Sequence, residues 1–165
     1  MTIAYLNGEF VPLEEARISP MDRGFLFGDG IYEVIPSYNG QLVGFKRHMQ
    51  RLDQGLAAIQ LENPLTADTW HTLFCKLTAQ NAGDYQGVYL QVTRGTSPVR
   101  NHRFPVDCQP TVFAYTFTVN APCNGDPDKA TCYQVATATD RRWKRCDIKS
   151  VALLGNVLHM MEGVD

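Results

Sequence analysis

A lysine can bond reversibly to an aldehyde only when its amine is neutral and held still. Lys149 stands where such holding is available, between a β-forming stretch at 131–139 and an apolar-patterned stretch that begins near Ser150. Arg141, Arg142, Lys144 and Arg145 precede it and make the loop basic. That loop can bind an anion, and a solvent-facing lysine on a basic loop is the plain alternative. A second constellation is RGTSPVRNH, residues 94–102. The planar guanidinium of Arg100 can grip a carboxylate through two parallel hydrogen bonds, and His102 can donate another. Pro98 stiffens the segment. An exposed turn with ordinary basic residues is the competing reading of the same stretch. Arg51 borders the apolar face of a helical pattern, from which it either reaches a phosphate or snorkels into water. Tyr32 offers a ligand its phenol or the core its ring. The stretch DRGFLFGDG, 22–30, has neither the GK[ST] ending of a phosphate loop nor GxGxxG spacing, so alone it means a constrained loop.

The elements that must position these residues follow from periodicity. Residues 3–6 and Phe10-Val11 flank Asn7-Gly8, and 31–38 and 41–45 flank Asn39-Gly40, so two hairpins are expected. Pro36 argues for an edge or a bulge in the second. Phe45, Met49, Leu52, Leu56 and Ile59 repeat every three or four residues, which predicts a helix over 46–59 despite Gly55. Thr66 caps a second helix carrying Trp70, Leu73, Phe74 and Leu77, stopped at Asn81 and Gly83. Strands are expected at 87–93, with Val88, Leu90 and Val92 on one side, and at 111–119, with Phe113, Tyr115 and Phe117 on one face. Residues 120–129, with Pro122, Gly125 and Pro127, read as a linker. A strand over 131–139 and a helix capped by Ser150 come after it.

This pattern gives an α+β small domain at 1–119, an interdomain linker at 120–129 and the partial start of a larger domain at 130–165. One strand and one helix after a linker leave apolar surface uncovered. Either the chain is truncated, or these elements pack back on the first domain. Bulk properties exclude several functions. The formal net charge of -2 supplies no field for nucleic acid or an anionic membrane. No apolar run has membrane-spanning length, and MTIAYLNGEF does not read as a secretion signal. Five cysteines without CxxC spacing and four histidines without HExxH argue against a metal site and for reduced thiols in the cytoplasm.

Four landmarks, DRGFLFGDGIYEV, HMQRL, VYLQVTRGTSPVRNHRFP and RRWKRCDIKSVALLGNVL, stand in one order across almost the whole chain. Together they resemble the fold-type IV pyridoxal-phosphate aminotransferases, and within them the D-amino-acid aminotransferase branch. The resemblance implies the small N-terminal domain of that fold, followed by the truncated beginning of its larger α/β domain. It implies pyridoxal 5'-phosphate as cofactor, Lys149 as the catalytic, cofactor-linked lysine and Arg51 as a phosphate ligand. Tyr32, Arg100 and His102 would form the substrate carboxylate trap, the basic pair being supplied to the neighbouring subunit of a homodimer. The implied reaction of the complete protein is amino-group transfer between a D-amino acid and a 2-oxo acid, with the isolated 165-residue segment inactive. The alternatives are a branched-chain L-amino-acid aminotransferase, an aminodeoxychorismate lyase, or a non-enzymatic assembly or binding fragment. One departure stands out: Val99 separates Pro98 from Arg100, where the resembled pattern places arginine directly after proline.

Overall fold

Alternation of side chains along four of the strands decides what the sheet can cover. In the computed structural model, which describes residues 1–163, the elements are β1 (Ile3–Leu6), β2 (Glu9–Pro12), α1 (Arg23–Phe27), β3 (Gly30–Tyr38), β4 (Gln41–Leu42), α2 (Phe45–Ala58), α3 (Ala67–Gln80), β5 (Tyr85–Thr93), β6 (Thr111–Thr118) and α4 (Leu154–Glu162). The strands form one antiparallel sheet in the order β2-β1-β6-β5-β3-β4. Both Asn-Gly pairs turn as the hairpin reading requires: Asn7 and Gly8 have φ 49 and 108, Asn39 and Gly40 have φ 50 and 78. Two successive positive φ values match the right-handed twist of the flanking strands.

One face of the sheet presents Ile31, Ile35, Val88, Leu90, Val92, Val112 and Ala114 to α2 and α3. Met49, Leu52 and Leu56 come from α2; Trp70, Leu73, Phe74 and Leu77 come from α3. Helices gathered on one face of an antiparallel sheet make this an α+β domain. Gly55 has a packing reason: a Cβ there would lie 3.1 Å from Ile31 Cγ2, so the glycine lets α2 approach β3 closely. Thr66 Oγ1 accepts from Thr69 N–H and caps α3. Pro36 sits inside β3, opposite Gly87 of β5. Its carbonyl accepts from Val43 N–H on the β4 side, so its missing donor also faces that side, where β4 pairs only with Ser37 and Tyr38. The sheet's opposite face carries an aromatic row, with ring centroids of Tyr32 and Tyr89 5.8 Å apart and those of Tyr89 and Tyr115 5.3 Å apart.

Three expectations are corrected. The second hairpin's return strand is two residues long, because Gly44 turns left-handed (φ 68) and Phe45 enters α2. Residues 131–139 form no strand; Tyr133 and Val135 are 81% and 90% exposed. Alternation alone cannot make a strand where no neighbouring edge takes its hydrogen bonds. Ser150 caps no helix: α4 starts at Leu154 with Leu153 as its N-cap, since the backbone at 150 and 151 is bonded elsewhere. The apolar side chains of α4 are exposed, Leu154 and Met160 at 71% and 72%. The last two positions of the 130–165 segment lie outside the described residues. No helix among the described residues is long and apolar enough to cross a membrane.

Phe74 is fully buried between the helices and the sheet. Its replacement by alanine is expected to lower stability by about 3–5 kcal/mol in urea unfolding. A loss below about 1 kcal/mol would show that α3 does not seal the core.

Candidate functional site

Because β4 covers only the far end of β3, the near end keeps an open edge, and residues 149–151 occupy it. Tyr32 N–H donates to the Lys149 carbonyl at 3.1 Å, Val151 N–H donates to the Gly30 carbonyl at 3.0 Å, and Ser150 faces Ile31 in an antiparallel bridge. Cross-strand partners share a face, so Lys149 lies beside Tyr32. Its Nζ is 3.9 Å from the Tyr32 ring centroid. The bridge also sets Ile148 against the core, 7% exposed.

Arg51 comes from α2 and meets Glu33 of β3. Its Nε and Nη2 donate to Glu33 Oε1 and Oε2 at 2.6 and 2.7 Å, and His48 Nδ1 donates to Oε2 at 2.8 Å. The Glu33 side chain is fully buried, while that of Arg51 is half exposed. The hydrogen bond to Glu33, opposed by burial and aided by the charge of Glu33, holds the guanidinium above its usual value. Among the described residues nothing engages Nη1, so one edge of the fork remains for a ligand anion. Arg51, Tyr32, Lys149, Ser150, Arg142 and Asn156 line a cavity of about 260 Å³.

The basic loop is largely neutralised within itself. Arg142 grips Asp140 at 2.9 Å, Arg145 grips Asp147 at 2.8 Å, and Arg141 reaches Glu162 at 3.5 Å. Hydrogen bonds from Arg142 hold the Asp140 carboxyl down to about 2. The field around Lys149 is therefore weaker than the run of arginines implies.

Arg100 and His102 do not line this cavity. They lie together on the loop between β5 and β6, against Phe27 of α1: the Arg100 guanidinium carbon is 5.0 Å and the His102 ring 5.3 Å from the Phe27 ring centroid. The structure thus gathers Lys149, Tyr32 and Arg51 in one place and Arg100 and His102 in another. Sequence reasoning missed Glu33, although its signal was present: it occupies an inward position between Ile31 and Ile35, where a carboxylate needs a reason to be. It also missed Asp29, which pairs with Arg23 and Arg94 at 2.8 and 2.9 Å.

Residues 30–163 match the family described as amino-transferase class IV. Among curated proteins, a D-alanine aminotransferase of Staphylococcus haemolyticus is 40% identical over 159 residues, covering 96% of this chain and 55% of that protein. One of Staphylococcus aureus strain N315 is 41% identical over 155 residues, covering 93% and 54%. One of Listeria monocytogenes serotype 4b is 39% identical over 153 residues, covering 93% and 53%. The chain spans about half the length of the curated relatives it matches. Among solved structures, a T.th. branched-chain amino acid aminotransferase aligns with a TM-score of 0.73 at 17% identity, covering 98% of this chain and 54% of its own. That of Escherichia coli gives 0.66 at 18% identity, covering 72% and 40%. At those identities the likeness concerns the fold.

Glu33→Gln keeps the shape but leaves one carbonyl and an amide facing Arg51 and His48, and is expected to cost about 1–3 kcal/mol in urea unfolding; an unchanged midpoint would contradict the clamp. Tyr89 supplies a pH test. Burial, with Tyr115 and Tyr32 adding to it, pushes its phenol from 10.0 up to about 12. The folded chain keeps this proton where the unfolded chain has lost it. The contribution is therefore complete below pH 10.0 and is lost as pH rises through about 12. Urea unfolding at successive pH values should show that loss in the native sequence and less of it in Tyr89→Phe.

Proposed function

The chain belongs to the class IV aminotransferase family, and from that footing we propose that the whole protein is a pyridoxal-phosphate-dependent transaminase that moves an amino group between a D-amino acid and a 2-oxo acid. The observation that carries the chemistry is Lys149, fixed to the β3 edge with its amine over Tyr32 and Arg51 in the same cavity. The D-amino-acid branch is supported by curated D-alanine aminotransferases that are 39–42% identical to this chain, whereas the branched-chain enzymes it resembles in structure, at 17–19% identity, share the fold alone.

The donor set fits the cofactor. An amine suited to an aldehyde and a guanidinium edge suited to a phosphate line one pocket, and Glu33 fixes the guanidinium. When bound, pyridoxal phosphate supplies the aldehyde that takes up the amino group and the electron-poor ring that accepts the electrons of the breaking Cα–H bond. Lys149 Nζ is the acid-base group that would move a proton between the substrate Cα and the cofactor carbon. Tyr32, next to it, steadies the amine and offers its phenol to the carboxylate. Arg100 and His102, which lie outside the Lys149 cavity of their own chain, bind that carboxylate in the neighbouring copy of a homodimer, as the resemblance to the family implies. A fixed carboxylate leaves one face of Cα toward the lysine, and this selects the stereoisomer.

In this reading residues 1–119 are the small domain, 120–129 the linker and 130–165 the start of the larger domain. Five free cysteines, three of them exposed, support a reducing, cytoplasmic location.

In the full-length protein, Lys149→Ala is expected to abolish the visible absorbance of the cofactor-lysine adduct and to slow transamination by roughly a thousandfold or more. Ordinary turnover by a folded Lys149→Ala protein would overturn the assignment. Matched assays with D- and L-amino acids and several 2-oxo acids should show turnover with the D series. Preference for branched L-amino acids would overturn the stereochemical part alone.

A further inference from the structure

The loop bearing Arg100 and His102 is exposed, yet its main chain is pinned from below by a buried cation. Arg23, 3% exposed, donates from Nη1 to the Asn101 carbonyl at 2.6 Å and, more weakly, from Nη2 to the His102 carbonyl at 3.4 Å. Its third edge, Nε, donates to Asp29 Oδ2 at 2.8 Å. The Arg23 fork therefore has a fixed base and two loop carbonyls at its tips. The Arg23 and Arg100 guanidinium carbons lie 4.9 and 5.0 Å from the Phe27 ring centroid, with the His102 ring also against it.

This arrangement goes beyond what burial of an arginine requires. Asp29 already has a second guanidinium, since Arg94 Nε and Nη2 donate to it at 2.9 and 3.1 Å. Charge balance at Asp29 therefore does not depend on Arg23 reaching the loop. What Arg23 adds is a register: it bonds the carbonyls of the two residues that follow Arg100, so the directions in which the Arg100 and His102 side chains leave the backbone are set from inside the protein. Phe27 supplies a flat apolar shelf that removes sideways freedom from the Arg100 and His102 side chains. The extra residue between Pro98 and Arg100 makes such an anchor more valuable, because a longer loop has more conformations to lose.

We infer that Arg23 is a positioning residue for the carboxylate-binding pair Arg100 and His102, with Phe27 as the surface on which they are set. The inference rests on the transaminase reading and deepens it. Arg23 touches no substrate; it lowers the entropy that the loop must lose when a carboxylate arrives. A lysine at this position keeps a charge near Asp29 but is a point donor, unable to span the carboxylate and both carbonyls.

The test uses the full-length protein with Arg23→Lys, Phe27→Leu and Arg100→Ala. Arg23→Lys is expected to raise KM for amino acid and oxo acid together by roughly tenfold, with kcat and cofactor affinity little changed. Amide exchange should quicken over 99–103 and stay unchanged in the β5 and β6 amides. Phe27→Leu should move the same quantities in the same direction, and it leaves the Arg23–Asp29 ion pair intact should Arg23→Lys fold poorly. Unchanged KM in Arg23→Lys and Phe27→Leu, with KM raised in Arg100→Ala, overturns the positioning role and leaves the transaminase reading standing. Unchanged KM in all three sinks the carboxylate assignment itself. A raised KM without faster exchange over 99–103 also overturns the positioning role, because the loop would then be no looser than before.

Discussion

Two main-chain hydrogen bonds, Tyr32 N–H to the Lys149 carbonyl and Val151 N–H to the Gly30 carbonyl, determine where the chemically useful residues meet. They exist because β4 stops after two residues and leaves the start of β3 with unpaired polar groups. A sheet edge in that condition takes whatever extended backbone can reach it. Here it takes 149–151, at the end of a stretch from 119 to 153 with little regular structure. The position of Lys149 is thus inherited from β3, the strand whose inward face is welded to α2, and not from the exposed segment that precedes it.

Three carboxylates largely withdrawn from water organise the surroundings of that strand. Glu33 clamps Arg51 and His48; Asp29 holds Arg23 and Arg94; Asp22 accepts from Gly24 N–H and from the Thr93 and Thr111 hydroxyls. Each is nearly or fully saturated with donors, which makes a carboxylate tolerable away from water. Arg94 extends the second cluster to the carbonyl end of α2 through the Ile59 and Gln60 carbonyls. The loop after β5, helix α1 and the end of α2 are in this way tied to one acid. Rigid backbone near a site is usually supplied by secondary structure; around Asp29 it is supplied by charge.

Much of this was legible in the residues. The Asn-Gly pairs announced both hairpins, the three-and-four spacing placed α2 and α3, and Thr66 marked a helix start that its hydroxyl serves. The pairing of Lys149 with Tyr32 was not legible, because it joins residues 117 positions apart through a sheet edge whose vacancy depends on the length of β4. The neutralisation of the basic loop was missed for a different reason: Asp140 and Asp147 flank the arginines in sequence, but counting cations ignores their neighbours. The stretch at 131–139 misled because β-propensity records what a side chain tolerates, and a ladder needs a partner.

The antiparallel bridge between Ile31 and Ser150 carries a rule about insertions and deletions. Side chains alternate across a strand, so slipping 149–151 by one position along β3 would turn the lysine toward the aliphatic interior and bring its neighbour outward. Gaining or losing residues farther upstream, where the chain is exposed and irregular, leaves that parity untouched. Homologous chains can therefore differ freely in the length of the approach to Lys149, while the handful of residues from Ile148 to Val151 must keep their count.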